Sequence, residues 1–382
     1  MDVYITDISA FLPNEPVSNE EIDKYLGVVN NMPSRIKNII LTGNNIQKRY
    51  YAIDPSTGNA THTNVQLTAE AVRRLMPYDG FSVGDIECLC CGTSTPDQLM
   101  PGHGLMVHGE LKTPPCEVIT TAGICLSGVT ALKYAYMNVA LGFTKNAVAT
   151  GSDVASTYMR ARFFEGVRRK KEAFLRKEKL VPFDTAFLRW MLSDGAGAVF
   201  VTSSPVADKP ALRMDWIEHV SYAGEFEVCM YSGAKKGANG TLTGWRDFST
   251  LHDAVAEGVF LIKQDVKLLN REAMKVAVEK TLPRVMEKYD LSATQIDWFL
   301  PHYSSEYFKA KFYESMANVN FEIPLDKWFS NLPYKGNTGA ASIYIIMEEI
   351  FHSGRIKRGD KILCFIPESG RFSMCFMMLT AV

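Results

Sequence analysis

The sequence predicts an α/β fold in which helices and sheets alternate in layers, α/β/α/β/α, and in which the chain divides into two similar halves. Apolar strands and helical segments follow one another throughout the 382 residues, with no low-complexity segment and no short-period repeat. Several helical segments, such as Leu126–Leu141, are apolar all round, and a helix of that kind is buried on every side. Helices buried between sheets require the layered arrangement.

In the first half, each predicted strand is a short apolar run bounded by turn residues. The predicted strands are Val3–Ser9, Ile86–Gly92, Cys116–Thr121, Asn146–Asp153 and a hairpin strand at Gly197–Ser203. A short helix is predicted after Ser18–Glu21, which has the capping-box pattern. Further helices are predicted at Thr63–Leu75, Gly102–Leu111 and Leu126–Leu141.

The second half repeats this alternation after a polar, proline-containing stretch near Pro205. Helical spacing predicts a long helical region over Asp253–Tyr289, a helix after Tyr307 and a helix over Thr338–Phe351. The predicted strands are Ile296–Leu300, Lys361–Ile366 and Ser373–Ala381. The domain prediction is therefore an N-terminal half, residues 1–205, and a C-terminal half, residues 206–382.

Composition narrows the class of protein. Hydrophobic residues make up 47% of the chain and charged residues 22%, and the net charge of -1 argues against a nucleic-acid-binding surface. No apolar run is long enough to cross a bilayer, so we expect no membrane insertion. The N-terminus has Asp2 and no basic n-region, so it is typical of a first strand rather than of a signal peptide. We therefore expect a cytoplasmic protein with its eight cysteines reduced.

Two segments have alternative interpretations. The run Cys88–Cys91 lacks metal-ligand spacing, so a buried strand of small thiols is favoured over a metal site. The segment Arg160–Lys179 holds nine Lys or Arg against three Glu and lies in an insertion of about residues 156–190. It is interpreted either as a solvated insertion helix or as a docking surface for an acidic partner.

Cys125 is the first candidate for chemistry. The strand that ends near Thr121 is followed by small residues, and the next helix begins at or near Cys125. A helix N-terminus presents free N–H groups and partial positive charge, which favour a thiolate and can hold an oxyanion. A small core cysteine in a tight turn explains this stretch equally well.

Two downstream residues can serve as partners for a nucleophile. His302 follows the apolar strand that ends in "FLP", a position that faces a cleft in α/β proteins. Asn337 lies in the glycine-flanked turn "YKGNTGAAS" (Tyr334–Ser342), where its amide can donate a hydrogen bond to a carbonyl. Taken singly, each can equally be a structural loop residue.

The ordered set of motifs carries a resemblance to a known family. "TTAGICLSG" around Cys125, "LSDGAGAVFV" (Leu192–Val201), "FLPH" (Phe299–His302) and "YKGNTGAAS" resemble the β-ketoacyl-acyl-carrier-protein synthase III family of the thiolase superfamily. The resemblance extends over nearly the whole chain, and it implies a thiolase-like fold.

The resemblance also implies a reaction. Cys125 would take an acyl group from a thioester, and His302 and Asn337 would hydrogen-bond the carbonyl of a second, carboxylated thioester as it loses CO2. The carbanion would then attack the acyl-cysteine in a Claisen condensation, with the backbone N–H groups of Cys125 and Gly370 as the oxyanion hole. The substrates would be thioesters of coenzyme A or of an acyl carrier protein, with no metal and no other cofactor. The family also implies a homodimer, with the strand Cys116–Thr121 at its edge.

Departures from the family pattern indicate a specialised enzyme. The chain has "HYSS" (His302–Ser305) where the family typically has "HQAN", and "SGR" (Ser369–Arg371) near its end where the family has a glycine-rich run. The family's basic docking residue is absent at Tyr307. Carrier-protein docking is therefore assigned to Arg168, Arg169 and Lys170, and to the nearby Lys309.

One branch of the family is favoured by the N-terminal motifs. "PSRIKNIILTGNNIQKRYYAID" (Pro33–Asp54) and "THTN" (Thr61–Asn64) resemble the ketosynthases of dialkylresorcinol and flexirubin-type pathways. In that branch a β-ketoacyl thioester is joined to a second acyl thioester. Two other functions stay open: an acyltransferase that forms an ester or amide on the same scaffold, and a catalytically weak partner subunit.

Overall fold

The computed structural model describes residues 1–29, 34–165, 167 and 183–382. The described strands are β1 (Tyr4–Phe11), β2 (Val17–Ser18), β3 (Lys48–Arg49), β4 (Cys88–Thr93), β5 (Glu117–Ala122), β6 (Asn146–Asp153), β7 (Gly195–Thr202), β8 (Leu212–Ser221), β9 (Met230–Tyr231), β10 (Ala234–Lys236), β11 (Leu242–Gly244), β12 (Lys263–Gln264), β13 (Trp298–Pro301), β14 (Lys361–Glu368) and β15 (Ser373–Ala381).

The described α-helices are α1 (Ile22–Leu26), α2 (Ser34–Asn44), α3 (Asn64–Arg73), α4 (His103–Leu111), α5 (Leu126–Ala140), α6 (Phe183–Arg189), α7 (Leu251–Ala256), α8 (Val266–Met274), α9 (Leu282–Tyr289), α10 (Tyr307–Asn318), α11 (Leu332–Lys335) and α12 (Ser342–His352). A π-helix, Lys275–Thr281, joins α8 to α9. Short 3₁₀ turns lie at Val83–Asp85, Ala155–Met159, Ala161–Phe164, Trp245–Asp247, Ala293–Gln295, Leu325–Lys327 and Gly339–Ala341.

Nine strands form one mixed sheet in which the same strand order occurs twice. The full order is β13-β14-β15-β8-β1-β7-β6-β4-β5, and β8 joins β1 through only two residue pairs. On one side of that junction β4 and β6 run parallel and β7 and β1 follow antiparallel. On the other side β13 and β14 run parallel and β15 and β8 follow antiparallel. The predicted division at residue 205 falls between β7 and β8 and stays a prediction.

Successive side chains along a strand point to opposite faces of the sheet, and this alternation separates a central apolar layer from two outer apolar layers. In β14, Ile362, Cys364 and Ile366 belong to the central cluster, whereas Leu363 and Phe365 belong to a second cluster on the opposite face. The central cluster also contains α5 and α12, the second cluster contains α8, α9 and α10, and a third contains α3 and α4. The helices therefore form three layers with sheet between them, which confirms the layered α/β prediction.

Small residues let the two central helices approach each other closely. A side chain at Gly128, in α5, would come within 2.4 Å of the carbonyl oxygen of Ala340, just before α12. A side chain at Gly151, in β6, would come within 2.2 Å of the same oxygen. The hydroxyl of Tyr344 donates a hydrogen bond of 2.8 Å to the carbonyl of Gly128. The segment around Ala340 is thus held directly against the turn of α5 that follows Cys125.

Several predicted elements differ from the structure. The predicted helical region Asp253–Tyr289 contains α7, then strand β12, and only then the helices from Val266 onward. The predicted hairpin strand is β7, which lies between β6 and β1 and is antiparallel to both. The basic segment is only partly described: residues 166 and 168–182 lie outside the described residues. No helix in the described ranges is long and apolar enough to cross a membrane.

The packing at Gly151 makes a stability prediction. Gly151→Ala forces the new methyl group against the Ala340 backbone, so we expect a loss of about 2–3 kcal/mol in the free energy of unfolding. Gly109→Ala in α4 is the control, because a side chain there meets no atom within 4 Å. That control should gain up to about 1 kcal/mol from helix propensity. Urea denaturation measures both, and equal effects at the two sites would contradict this packing.

Candidate active site

The three residues singled out in the sequence lie on two neighbouring cavities. Cys125 stands between β5 and α5, His302 follows β13, and Asn337 lies in the turn before α12. Cys125 and His302 line one cavity, which we call the His302 cavity. Cys125 and Asn337 line a second, which we call the Asn337 cavity. Cys125, Ser304 and Ser369 line both, so the thiol lies where the two cavities meet.

The turn that presents Cys125 is fixed by hydrogen bonds. The backbone N–H and the hydroxyl of Ser127 both donate to the carbonyl of Ile124, at 3.1 and 2.8 Å. The hydroxyl of Thr121, in β5, donates to the carbonyl of Ser127 at 2.7 Å. A side chain at Gly92 would come within 2.2 Å of that same carbonyl, so glycine there allows α5 to begin directly on β4. Cys125 is the N-terminal cap residue of α5, as predicted.

The charge state of Cys125 differs from the sequence expectation of a favoured thiolate. Burial raises the pKa of the Cys125 thiol, and the nearby carboxylates of Glu368 and Asp153 raise it further. The backbone N–H of Cys125 lowers that pKa, but by less. The thiol is therefore protonated at neutral pH, and its proton must leave as an acyl group is attached.

The side chain of His302 is shielded from solvent. Its side chain is buried, and its backbone N–H donates to the carbonyl of Phe365, in β14, at 2.8 Å. Burial lowers the pKa of His302 to about 4. The imidazole is therefore neutral at neutral pH, and it can donate a hydrogen bond without carrying a positive charge.

Asn337 is oriented by both halves of the chain. Its backbone N–H donates to the carbonyl of Met191 at 3.2 Å, and its own carbonyl accepts from the N–H of Ser193 at 2.8 Å. Its side-chain oxygen accepts from the N–H of Gly339 at 3.0 Å. The oxygen of the amide is thus engaged within the turn, which leaves the NH2 group as the donor available to a ligand.

Asp153 is a buried residue of this site that the sequence analysis missed. One carboxylate oxygen accepts from the backbone N–H and hydroxyl of Ser94 and from the hydroxyl of Thr95, at 2.9, 2.6 and 2.9 Å. The other accepts from the backbone N–H of Ala340 at 2.7 Å. A side chain at Gly339 would come within 2.1 Å of that oxygen. Asp153 thus ties the end of β6 to the segment that carries Asn337.

Glu368 is a second residue that was missed. It ends β14 and lines the His302 cavity beside Cys125. Its Oε2 accepts a hydrogen bond of 3.2 Å from the backbone N–H of Ile124. The signal in the sequence was a single charged residue at the end of the uncharged run Ile362–Pro367, where an apolar strand meets a turn.

Gly370 lies against the cysteine turn. A side chain there would come within 2.9 Å of Ile124 and 3.1 Å of Glu368. Its carbonyl accepts from the backbone N–H groups of Cys229 and Met230 at 2.8 and 3.2 Å. This position is compatible with an oxyanion hole shared with Cys125, and that role stays a prediction.

The structure describes only one of the four residues that are predicted to dock an acyl carrier protein. Arg168, Arg169 and Lys170 lie outside the described residues. Lys309 lies in α10, which starts five residues after His302, and forms an ion pair with Glu306 at 3.7 Å. Docking at these residues stays a prediction.

Comparison with known proteins identifies the sequence relatives. The family model for the C-terminal part of 3-oxoacyl-[acyl-carrier-protein] synthase III matches residues 286–368, which include His302 and Asn337. The β-ketoacyl-[acyl-carrier-protein] synthase III of Granulibacter bethesdensis is 26% identical over 362 residues, covering 94% of this chain and 93% of its own. That of Neisseria meningitidis is 26% identical over 367 residues, with the same two coverages.

Solved structures agree on the fold. A tetronic acid condensing enzyme matches with a TM-score of 0.76 at 20% identity, covering 99% of each chain. A variant of OleA from Xanthomonas campestris, with bound lauric acid and lauroyl-CoA, matches with a TM-score of 0.74 at 18% identity, covering 100% of this chain and 99% of its own. The fold is therefore thiolase-like, as predicted. Within that class, the sequence is similar to β-ketoacyl synthase III along nearly its whole length.

The pKa of His302 makes a prediction about stability and pH. The unfolded chain binds a proton at His302 below about pH 6.5, whereas the folded protein binds it only near pH 4. This residue therefore removes stability as the pH falls from 6.5 to 4, by about 3 kcal/mol in total.

Between pH 6.5 and pH 4, the His302→Gln variant should lose about 3 kcal/mol less stability than the parent protein. Urea unfolding of the two proteins at a series of pH values gives the difference, in which the other titrating groups cancel. Parallel stability curves would contradict a buried, neutral His302.

Proposed function

We propose that the protein is a condensing enzyme that joins two acyl thioesters by Claisen-type carbon–carbon bond formation through an acyl-Cys125 intermediate. The observation that carries this proposal is the place of Cys125 at the meeting point of two cavities, with His302 on one and Asn337 on the other. A reaction that holds one acyl group covalently while a second substrate approaches needs such a junction.

The His302 cavity suits an acyl chain. It is a cavity of about 70 Å³ that is partly open to solvent. Its walls are largely apolar and are formed by Leu269, Ala273, Met274, Ala277, Phe308, Phe312, Phe365, Phe372 and Met374. We propose that the chain carried by Cys125 lies there, because apolar walls stabilise buried methylene groups.

The Asn337 cavity suits the thioester end of a substrate. It has a volume of about 330 Å³, larger than that of the His302 cavity, and has polar residues next to the thiol, among them Ser94, Thr95 and Asp153. We propose that thioesters of coenzyme A or of an acyl carrier protein reach Cys125 from this side. No metal and no further cofactor enters this proposal.

The proposed steps assign a role to each residue of the site. The Cys125 sulfur attacks a thioester carbonyl, and the backbone N–H groups of Cys125 and Gly370 stabilise the tetrahedral oxyanion. The carbon–sulfur bond to the donor then breaks, and the donor leaves as a free thiol that carries the proton from Cys125. The second thioester becomes an enolate by losing either CO2 or an α-proton, and the enolate oxygen accepts hydrogen bonds from the neutral His302 and from the Asn337 amide. Because neither donor is charged, neither one protonates the carbanion before it attacks the acyl-cysteine.

The comparisons support a place in lipid or polyketide biosynthesis. The sequence relatives are named as synthases acting with acyl carrier protein, and one structural neighbour contains lauric acid and lauroyl-CoA. The departures from the family pattern and the motifs at Pro33–Asp54 favour a specialised pathway of the dialkylresorcinol type, which we propose as the finer function.

Intact-mass spectrometry tests the first step. After incubation with a panel of acyl-coenzyme A thioesters, the protein should gain the mass of one acyl group, and Cys125→Ala should gain none. Cys116→Ala is the matched control, because this partly exposed cysteine lies on neither cavity, and it should load as the parent does. Loading of Cys125→Ala, or of no protein, would contradict the proposal.

Product analysis separates condensation from acyl transfer. A condensing enzyme forms a new carbon–carbon bond between the two acyl groups. An acyltransferase on the same scaffold would give an ester or an amide of the loaded acyl group instead.

We further propose a homodimer formed along β5. This strand is an edge of the nine-stranded sheet, as predicted, and among the strands that the structure describes its backbone pairs only with β4. Next to it, Leu99, Met100 and Leu105 are 76%, 84% and 56% exposed, an unusual cluster for large apolar side chains. Light scattering coupled to size exclusion should give twice the chain mass of 42.7 kDa. A monomer that persists at high concentration would contradict it.

A further inference from the structure

Glu368 places a carboxyl group on the wall of the cavity that also holds Cys125 and His302. It lines the His302 cavity together with Cys125 and His302, and its side chain is partly accessible from that cavity. The hydrogen bond from Ile124 engages Oε2, at 3.2 Å. The second oxygen, Oε1, lies on the side of Gly370, whose N–H is the proposed oxyanion donor.

The charge of Glu368 has no compensating cation. Among the residues that the structure describes, no Lys, Arg or His forms an ion pair with it. Burial raises the pKa of its carboxyl group, and hydrogen bonds from the backbone N–H groups of Ile124 and Leu126 oppose that effect. The negative charge of Glu368 also raises the pKa of the Cys125 thiol.

The hydrogen bonds from Ile124 and Leu126 do not by themselves require a charged side chain at this position. A glutamine would accept the same hydrogen bond from Ile124 at the start of α5, without placing a negative charge beside the nucleophile. An unpaired carboxylate in an apolar cavity is costly, and such groups concentrate at functional sites. A carboxylate that is poorly solvated and close to a bound substrate is suited to accept a proton.

We propose that Glu368 is the general base that removes a proton from the α-carbon of the second acyl thioester, so that the enolate forms without loss of CO2. This inference rests on the proposed function, and it names the substrate class: an acyl thioester with no carboxyl group on its α-carbon. An α-carbon flanked by two carbonyls, as in a β-ketoacyl thioester, is more acidic and suits a carboxylate base best.

The step balances without any further reactant. The carboxylate of Glu368 takes the α-proton, and the electrons of the C–H bond form the enolate, which His302 and Asn337 stabilise. The α-carbon attacks the carbonyl of the acyl-Cys125 thioester, a carbon–carbon bond forms, and the carbon–sulfur bond to Cys125 breaks. The departing thiolate then takes the proton from the Glu368 carboxylic acid, which restores both groups.

Glu368→Gln tests this role, since the amide keeps the size of the side chain and can accept from Ile124 but cannot act as a base. Glu348→Gln is the matched control, because Glu348 is also a half-buried glutamate with a raised pKa but lines neither cavity. The probes are decanoyl-coenzyme A, to load Cys125, and 3-oxodecanoyl-coenzyme A or malonyl-coenzyme A as the second substrate.

We expect the parent protein and Glu348→Gln to condense 3-oxodecanoyl-coenzyme A with the loaded decanoyl group, and to release no CO2. Glu368→Gln should condense it at least about 100-fold more slowly, the contribution expected of a general base. Acylation of Cys125 should still be detected by intact mass in all three proteins.

Other results overturn the inference in distinguishable ways. The parent protein could become acylated at Cys125 but condense only malonyl-coenzyme A, with release of CO2. That result would support the proposed function and contradict the role of Glu368 as a base. Unchanged condensation in Glu368→Gln also removes that role. Loss of loading together with condensation in Glu368→Gln would make Glu368 a positioning residue for Cys125. If the parent protein loads no acyl group, the proposed function itself fails.

Discussion

The two central helices, α5 and α12, meet through their backbones, and the geometry of the candidate site depends on that contact. Gly128 and Gly151 leave room for the carbonyl of Ala340, and Tyr344 donates back to the carbonyl of Gly128. Asp153 adds a hydrogen bond from the N–H of Ala340. Because this contact joins the start of α5 to the segment before α12, the turn that carries Cys125 and the turn that carries Asn337 are held in a fixed relation.

The electrostatics of the site follow from burial around that contact. A buried thiol, two nearby carboxylates and a neutral imidazole occupy one small region. Such a region does not favour a resting thiolate, because burial and the carboxylates outweigh the backbone N–H groups at the start of α5. It suits chemistry in which protons move together with the acyl groups, and in which uncharged donors stabilise an enolate.

Local pattern was enough to predict much of the fold. The predicted strands Asn146–Asp153 and Ser373–Ala381 have the bounds seen in the structure, and Ser373–Ala381 is a nearly continuous apolar run. Strand β12 was missed inside a predicted helical region, because it is two residues long and exists through pairing with Met230 and Tyr231. The position of Cys125 before α5 was also predictable, since a strand, small residues and an apolar helix follow one another there. The direction of the shift in its pKa was not predictable, because the burial of the thiol and its proximity to Glu368 arise only in the folded protein.

The most direct test of this account is a crystal structure of the protein after loading with a long-chain acyl thioester. The account predicts electron density for a thioester bond to the Cys125 sulfur, with the acyl chain in the His302 cavity between α8 and β14. It also predicts that the Asn337 cavity is then free for the second thioester. An acyl group bonded to another residue, or a chain that leaves Cys125 through the Asn337 cavity, would contradict it.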